Sequence, residues 1–377
     1  MDISGGARPG PPRTRERMRA RLPAVFVAAF LATCAQLSGA EEARNVVLMI
    51  GDGMGFEHVR AAGLYLHGIE GALAMECLPC RASVGTRPAS GDVTDSAAAA
   101  TALATGHKVK NGVLSLAIPG DGSRLETLVE IFKRCGAPAG LVTTTRVIDA
   151  TPAAFGAHAA SRKEWGSIAR SMFGEVRPDL VLGGAEEEPE LRLARESGYR
   201  VIESLAELGR GGPVLGRFAA GSLPWEEGQS SQTLAEMTAA ALAFLGTSTR
   251  GFFLMVEGAR IDHASHSNDL ARAIGEVVAL DRAVETALRW AGARRDTLLV
   301  VTADHETGGL AVLRSRGRGN LPEVRWSTGH HTAADVPLFA WGAGEGHFAG
   351  RMENTEVFEA ILRASPATRA LVPAGAR

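Results

Sequence analysis

The chain has 377 residues, 45% hydrophobic and 22% charged, an ordinary globular composition with enough length to bury a large core. Its formal net charge is −2, but residues 1–40 carry six arginines against Asp2 and Glu16, a local +4 that leaves the rest at −6. A mildly acidic body argues against nucleic acid as a dedicated partner.

From the N-terminus, Arg19 and Arg21 precede an apolar run from Leu22 to Leu37, and Ser38, Gly39 and Ala40 offer small residues for cleavage before Glu41. That is the layout of a secretory signal. The run is too short and too soon interrupted to be a comfortable membrane span. Residues 1–40 are therefore expected to be an N-terminal extension and signal peptide, with Met18 as an alternative start. The expected destination is secreted or periplasmic, with no stable membrane span after processing. Anchoring at Cys34 is disfavoured because Thr33 fits a lipoprotein box poorly.

Residues 41–377 show no linker with a composition shift and no repeat, so one catalytic-size domain is expected there. Asn45–Ile50 is a continuous apolar run stopped by Gly51-Asp52-Gly53, the pattern of a buried strand that turns sharply at its C-terminal end. Similar strands are predicted over 140–144, 179–183, 252–257, 297–302 and 336–340. Helical patterns fall at 96–105, 125–135, 232–245, 269–290 and 355–364. This alternation predicts an α/β three-layer sandwich, a largely parallel central sheet with helices on both faces. The stretches 186–190 and 314–319 read as surface loops. Cys77, Cys80 and Cys135 predict one disulfide and one remaining thiol.

Several residues that can do chemistry fall near strand ends, where ligands of parallel sheets collect. Asp304 and His305 follow the 297–302 strand, and a carboxylate beside an imidazole suits zinc if the chain is already turning. Asp262 and His266 are four apart, on one face of a helical turn. His330 and His331 add imidazoles. Ser96 opens an Ala-rich helix, where free N–H groups favour an anion. Taken alone, Ser96 is also an ordinary N-cap.

Five ordered blocks resemble the alkaline phosphatase family: NVVLMIGDGMG (45–55), VTDSAAAATA (93–102), DATPAA (149–154), VEGARIDHASH (256–266) and VTADHETGG (301–309). The resemblance runs from Asn45 to about Trp341 and implies a compact fold of that family. It implies hydrolysis of small-molecule phosphate monoesters through a phosphoserine at Ser96. One zinc would be held by Asp262, His266 and His331, the histidine followed by Thr332. A second zinc would be held by Asp52, Asp304 and His305. One magnesium ion would take Asp52, Thr151 and Glu257, with Asp149 nearby. Oxygen-only ligands suit magnesium and nitrogen-bearing sets suit zinc. Arg162 would clamp phosphate, oriented by Asp95; Arg60, Arg146 and Arg170 read as surface charge. His263 stands where some members carry Lys, as a phosphate contact or a tuner of the third site.

Twenty-five residues separate His305 from His331, where large members insert a subdomain. A more open site is expected here, and a homodimer stays open. Rival readings are a phosphodiesterase or sulfatase of the same superfamily, or a non-catalytic metal- or phosphate-binding protein. Ser96 lacks the Pro and Arg that follow a sulfatase nucleophile, and Thr151, Glu257 and Arg162 favour monoesters.

Overall fold

The chain alternates short apolar strands with helices, and the strands assemble into one large sheet. The computed structural model describes residues 42–226, 232–292 and 294–365; the expected signal segment, with Cys34, lies outside them. The described residues belong to a single compact unit. In chain order the strands are β1 (Asn45–Gly51), β2 (Cys80–Gly85), β3 (Ala139–Arg146), β4 (Leu180–Gly184), β5 (Arg200–Ile202), β6 (Val214–Ala219) and β7 (Phe252–Gly258). They continue with β8 (Thr297–Thr302), β9 (Glu306–Thr307), β10 (Ala311–Arg314), β11 (Glu323–Arg325), β12 (His331–Thr332), β13 (Val336–Gly342) and β14 (Gly350–Glu353).

Ten of these form a sheet in the order β14-β2-β13-β8-β1-β7-β3-β4-β6-β5, in which only β13 runs against the rest. The central strands β1, β7 and β8 are buried along their whole length, as strands covered on both faces must be. Helices pack in two groups. The Leu270–Ala291 helix lies with Leu234–Leu245, Arg260–His266 and Phe56–His67, while Ser96–Thr105 lies with Ala150–Gly156 and Asn354–Ala364. This is the predicted α/β architecture, and its strand order brings β8, β1, β7 and β3 side by side with their C-terminal ends together. Among the described residues, no helix is long and apolar enough to cross a membrane.

The predicted helices start where caps dictate. The 125–135 pattern begins as a helix only at Leu128, because Thr127 accepts from Glu130 N and the Glu130 side chain returns to Thr127 N, a capping box. Thr233 and Glu236 do the same before Leu234.

Three expectations are corrected. No disulfide joins Cys77, Cys80 and Cys135. Cys77 closes a short 3₁₀ turn, Leu78 is extended, and Cys80 enters β2 paired with Ala340. Residues 186–190 are not a surface loop throughout, because Glu190 is fully buried. Its partner is Arg146, which is therefore not surface charge: its Nε and Nη2 donate to Glu190 Oε1 at 2.9 and 2.6 Å, and its guanidinium stacks 4.4 Å from the Trp165 ring. Sequence spacing could not pair residues 44 positions apart. The 314–319 stretch is exposed as expected, joining β10 to β11 in a hairpin that fills most of the interval between His305 and His331.

Removing one partner of a buried ion pair strands the other charge in a low-dielectric interior. Arg146→Met is expected to destabilise the protein by about 3–5 kcal/mol, read as a lower urea midpoint. A change within experimental error would show that Glu190 does not depend on Arg146.

Candidate active site

The site begins at the C-terminal ends of the four neighbouring strands. Asp52 follows β1, Glu257 lies near the end of β7, Asp304 lies just beyond β8, and Asp149 lies just beyond β3. Asp52 is reached through a turn in which Gly53 has φ +74°. A Cβ there would lie 2.9 Å from the Cα of Asp262 and 2.9 Å from Thr307 Oγ1, so glycine lets the turn abut the next ligand-bearing segment. The chain does turn after Thr302. Asp304 Oδ1 accepts from Gly53 N at 3.2 Å and from His305 N at 2.9 Å, which fixes the carboxylate in place.

Two groups of potential metal ligands result, each with its ligand atoms within 4.8 Å of one another: Asp52, Asp304 and His305, and Asp262, His266 and His331. In the first, His305 Nε2 lies 3.4 Å from both Asp52 Oδ1 and Asp304 Oδ2, and 3.2 Å from Ser96 Oγ. In the second, His266 Nε2 lies 3.3 Å from Asp262 Oδ2, and His331 Nε2 lies 3.5 Å from Asp262 Oδ1. His330 is exposed and belongs to neither group.

The histidines are oriented by their other nitrogens. His266 Nδ1 donates to Gly329 O at 2.8 Å and His331 Nδ1 to Thr94 O at 2.9 Å. A carbonyl can only accept, so each Nδ1 carries a proton and Nε2 is the nitrogen turned toward the carboxylates. Thr307 does this for His305. Its hydroxyl donates to Asp262 Oδ1 at 2.5 Å and lies 3.3 Å from His305 Nδ1, linking the two groups.

Glu257 and Thr151 are buried beside Asp52's side of the site, and Thr143 Oγ1 donates to Glu257 Oε2. Three buried side-chain oxygens here lack any hydrogen-bond partner: Asp52 Oδ1, Thr151 Oγ1 and Asp304 Oδ2. Buried polar atoms are normally satisfied, and orphaned oxygens next to lone-pair nitrogens are the donor set that cations require. The residues present therefore fit bound cations.

Electrostatics agree. Burial raises Asp52 well above the usual carboxylate range, and Asp304, Asp262 and Glu257 raise it further. Burial pushes Glu257 up to about 8 and Asp304 up to about 7. Burial also acts to raise Asp262, but hydrogen bonding to His266 and the neighbouring His305 hold it below its usual value. His305 is lowered to about 4 by burial, while the hydrogen bond to Asp262 lifts His266 to about 9.

Ser96 is the first residue of its helix. The cap is its neighbour Asp95, which accepts from Ala98 N at 3.0 Å, so the Ser96 hydroxyl is released from capping. Arg162 is held between two carboxylates, with Nη1 3.4 Å from Asp95 Oδ2 and Nη2 3.1 Å from Asp149 Oδ1. Burial opposes its charge, but Asp149, Asp95 and Asp52 outweigh it. His263 is half-buried and lowered by burial, with Asp262 and Asp149 acting in the opposite direction. An open cavity of about 470 Å³ lies at the mouth, lined by Val93, Thr94, Asn111, His266, His330 and His331.

Sequence reading missed Thr143, Thr307 and His58. Thr307 lay inside the quoted VTADHETGG block, but nothing in the spacing tied it to Asp262. His58, six residues beyond Asp52, gave no periodic or motif signal.

The alkaline phosphatase family profile matches residues 43–182 and 203–321. Alkaline phosphatase 3 of Bacillus subtilis is 29% identical across 86% of this chain and 89% of its own. Streptomycin-6-phosphate phosphatase of Streptomyces griseus is 33% identical across 88% of this chain and 92% of its own. The solved alkaline phosphatase of the Antarctic bacterium TAB5 superposes with a TM-score of 0.79 at 29% identity, covering 87% of this chain and 99% of that one. Similarity of this extent places the chain among enzymes that hydrolyse phosphate monoesters. Within that class, it belongs to the alkaline phosphatase family.

Raised carboxylate pKa values mean that the folded, chelator-treated protein holds protons the unfolded chain has released. Stability then falls as pH rises from about 4, the unfolded value, through the folded values of about 7 for Asp304 and about 8 for Glu257. Thermal midpoints of chelator-treated protein should drop between about pH 5.5 and about pH 8.5, and added zinc should raise the midpoint and flatten the slope. A chelator-treated protein equally stable at both pH values would contradict this charge balance.

Proposed function

We propose that this protein is an exported alkaline phosphatase that transfers the phosphoryl group of small phosphate monoesters to Ser96 and then to water. The observation that carries the reading is the position of Ser96 Oγ, 3.2 Å from His305 Nε2 where Asp52 and Asp304 also converge, at a helix N-terminus.

Asp262, His266 and His331 would hold one zinc, Asp52, Asp304 and His305 a second, and Asp52, Thr151 and Glu257 a magnesium ion. A variant of the TAB5 enzyme has been solved with Mg bound in its M3 site. Such ions supply Lewis-acid charge that favours a serine alkoxide and offsets the negative charge of a transferring phosphoryl group.

The residues of this chain do the rest. Asp95 and Asp149 hold the Arg162 guanidinium, leaving its other N–H groups to grip two non-bridging phosphate oxygens. The N–H groups at the start of the Ser96–Thr105 helix favour the same anion. Ser96 Oγ gives up its proton to solvent and attacks phosphorus in line; the Oγ–P bond forms as the bond to the leaving oxygen breaks, and that oxygen takes a proton from solvent and departs as an alcohol. Water then attacks the phosphoserine, returning Ser96 and releasing inorganic phosphate. Thr151, Glu257 and the Arg162 clamp favour monoesters over diesters. His263, within reach of the charges of Asp149 and Asp262, would contact phosphate or tune the third site.

The intact mass of protein quenched with substrate at acidic pH should show one phosphate adduct that is absent from Ser96→Ala, whose kcat should fall by roughly 10⁴-fold or more. Arg162→Ala should lose roughly 10²-fold in kcat/KM. Faster turnover of bis-nitrophenyl phosphate than of nitrophenyl phosphate would instead favour the diesterase, and zinc binding without turnover of either would favour a binding protein.

A further inference from the structure

The Phe56–His67 helix contains a histidine that none of the site chemistry above uses. His58 is 1% exposed, and a buried imidazole is costly unless both nitrogens find partners. Its Nδ1 accepts from Gly55 N at 3.2 Å. An amide N–H can only donate, so Nδ1 carries the lone pair and Nε2 carries the proton. Nε2 then donates to Ser265 Oγ at 2.9 Å, and Ser265 Oγ passes its own hydrogen to Ile261 O at 2.8 Å. The ring is therefore neutral, in accord with burial lowering its pKa to about 4.

Two of the three contacts land on other ligand-bearing segments. Gly55 is the N-cap of His58's own helix, three residues beyond Asp52, so this bond fixes the ring against the start of the helix that follows the Asp52 turn. Ser265 lies in the Arg260–His266 helix, between Asp262 and His266 and adjacent to the latter. The third contact is Trp326, edge-on to His58 with ring centroids 5.7 Å apart, on the segment that leads to His331. Trp326 itself packs over Gly308, where a Cβ would lie 2.4 Å from the indole. Gly308 N donates to His330 O at 2.9 Å, and Gly308 O accepts from Ser327 N and Thr328 N. One side chain, carried at the start of the helix that follows the Asp52 turn, therefore reaches both the Asp262–His266 helix and the approach to His331. A residue serving only to fill space would need no polar atoms here. The two hydrogen bonds have direction: one fixes the ring at its own helix start and the other fixes how that start meets the Asp262–His266 helix.

We infer that His58 is a positioning residue that sets the Asp262–His266–His331 group in register with the Asp52–Asp304–His305 group. The inference rests on the reading of these groups as zinc sites. His58 touches no ligand residue directly through its ring nitrogens, so its effect passes through Ser265 and Gly55.

The test is zinc binding by the full chain, measured by competition with a chromophoric chelator and by zinc content. The parent protein should hold two tight zinc ions, and Asp262→Asn should remove one of them. Partners beyond the ligands typically contribute about 10–100-fold in metal affinity. His58→Phe, which keeps much of the volume, should weaken one zinc by about that factor and leave the other unchanged. Ser265→Ala, which alters only the far end of the bond, should weaken the same zinc. His58→Gln, which keeps a donor toward Ser265, should recover part of the loss. Equal weakening of both ions, or unchanged affinities with only a lower thermal midpoint, would overturn the positioning role. Retention of both ions in Asp262→Asn would overturn the zinc assignment itself, whatever the His58 variants do.

Discussion

Four buried carboxylates, Asp52, Glu257, Asp262 and Asp304, converge at one edge of the sheet, and the surrounding structure is organised around their charge. Like charges in a low-dielectric space repel strongly, and burial alone already disfavours the ionised forms. The protein answers in part with its own groups. Backbone amides of Gly53 and His305 donate to Asp304, Thr143 donates to Glu257, Thr307 donates to Asp262, and Arg162 contributes a fixed positive charge. That compensation is incomplete, because Asp52 Oδ1, Asp304 Oδ2 and Thr151 Oγ1 remain without hydrogen bonds. Such an arrangement is a poor way to stabilise a fold and a good way to bind cations.

The parallel sheet makes this convergence possible. β8, β1, β7 and β3 are neighbours and run in the same direction, so residues far apart in sequence leave the sheet at the same edge. Register keeps them level: Ile50 pairs with Glu257 on one side and with Thr302 on the other, and Thr143 pairs with Glu257. Imidazoles from outside the strands then close the site. Carbonyls of Gly329 and Thr94 orient two of these rings and the Thr307 hydroxyl faces the third, leaving each Nε2 facing the carboxylates.

Across from the carboxylates sit the groups suited to an anion. Asp95 serves three roles: it caps the Ser96 helix, accepts from Gly112 N and holds Arg162. The Ser96 helix and Arg162 are thus joined through one carboxylate. Because only a two-stranded hairpin occupies most of the stretch between His305 and His331, the mouth beside His266 and His331 stays open.

How much of this the sequence carried differs from element to element. The apolar runs at Asn45, Phe252 and Thr297 were legible because a strand covered on both faces needs apolar residues at every position. The blocks around Asp52, Ser96, Asp262 and Asp304 were legible because the family resemblance rests on them. The short strands β5, β6 and β14 were not, since their few residues carry no decisive period. Helix starts at Leu128 and Leu234 shifted because reciprocal capping outweighed the apolar pattern. The disulfide expectation failed because a count of cysteines says nothing about whether the fold brings any two of them together.

The sequence by itself determined the α/β class, the order of the blocks and the kinds of ligand atom available. Those follow from local hydrophobic pattern and residue chemistry. Only the tertiary structure decided that Arg146 belongs to buried Glu190 and that Thr307 and His58 connect the ligand segments. These are contacts between residues far apart in the chain or choices of side-chain direction. Both are set when packing fixes the segments against one another, and neither leaves a periodic signal along the sequence.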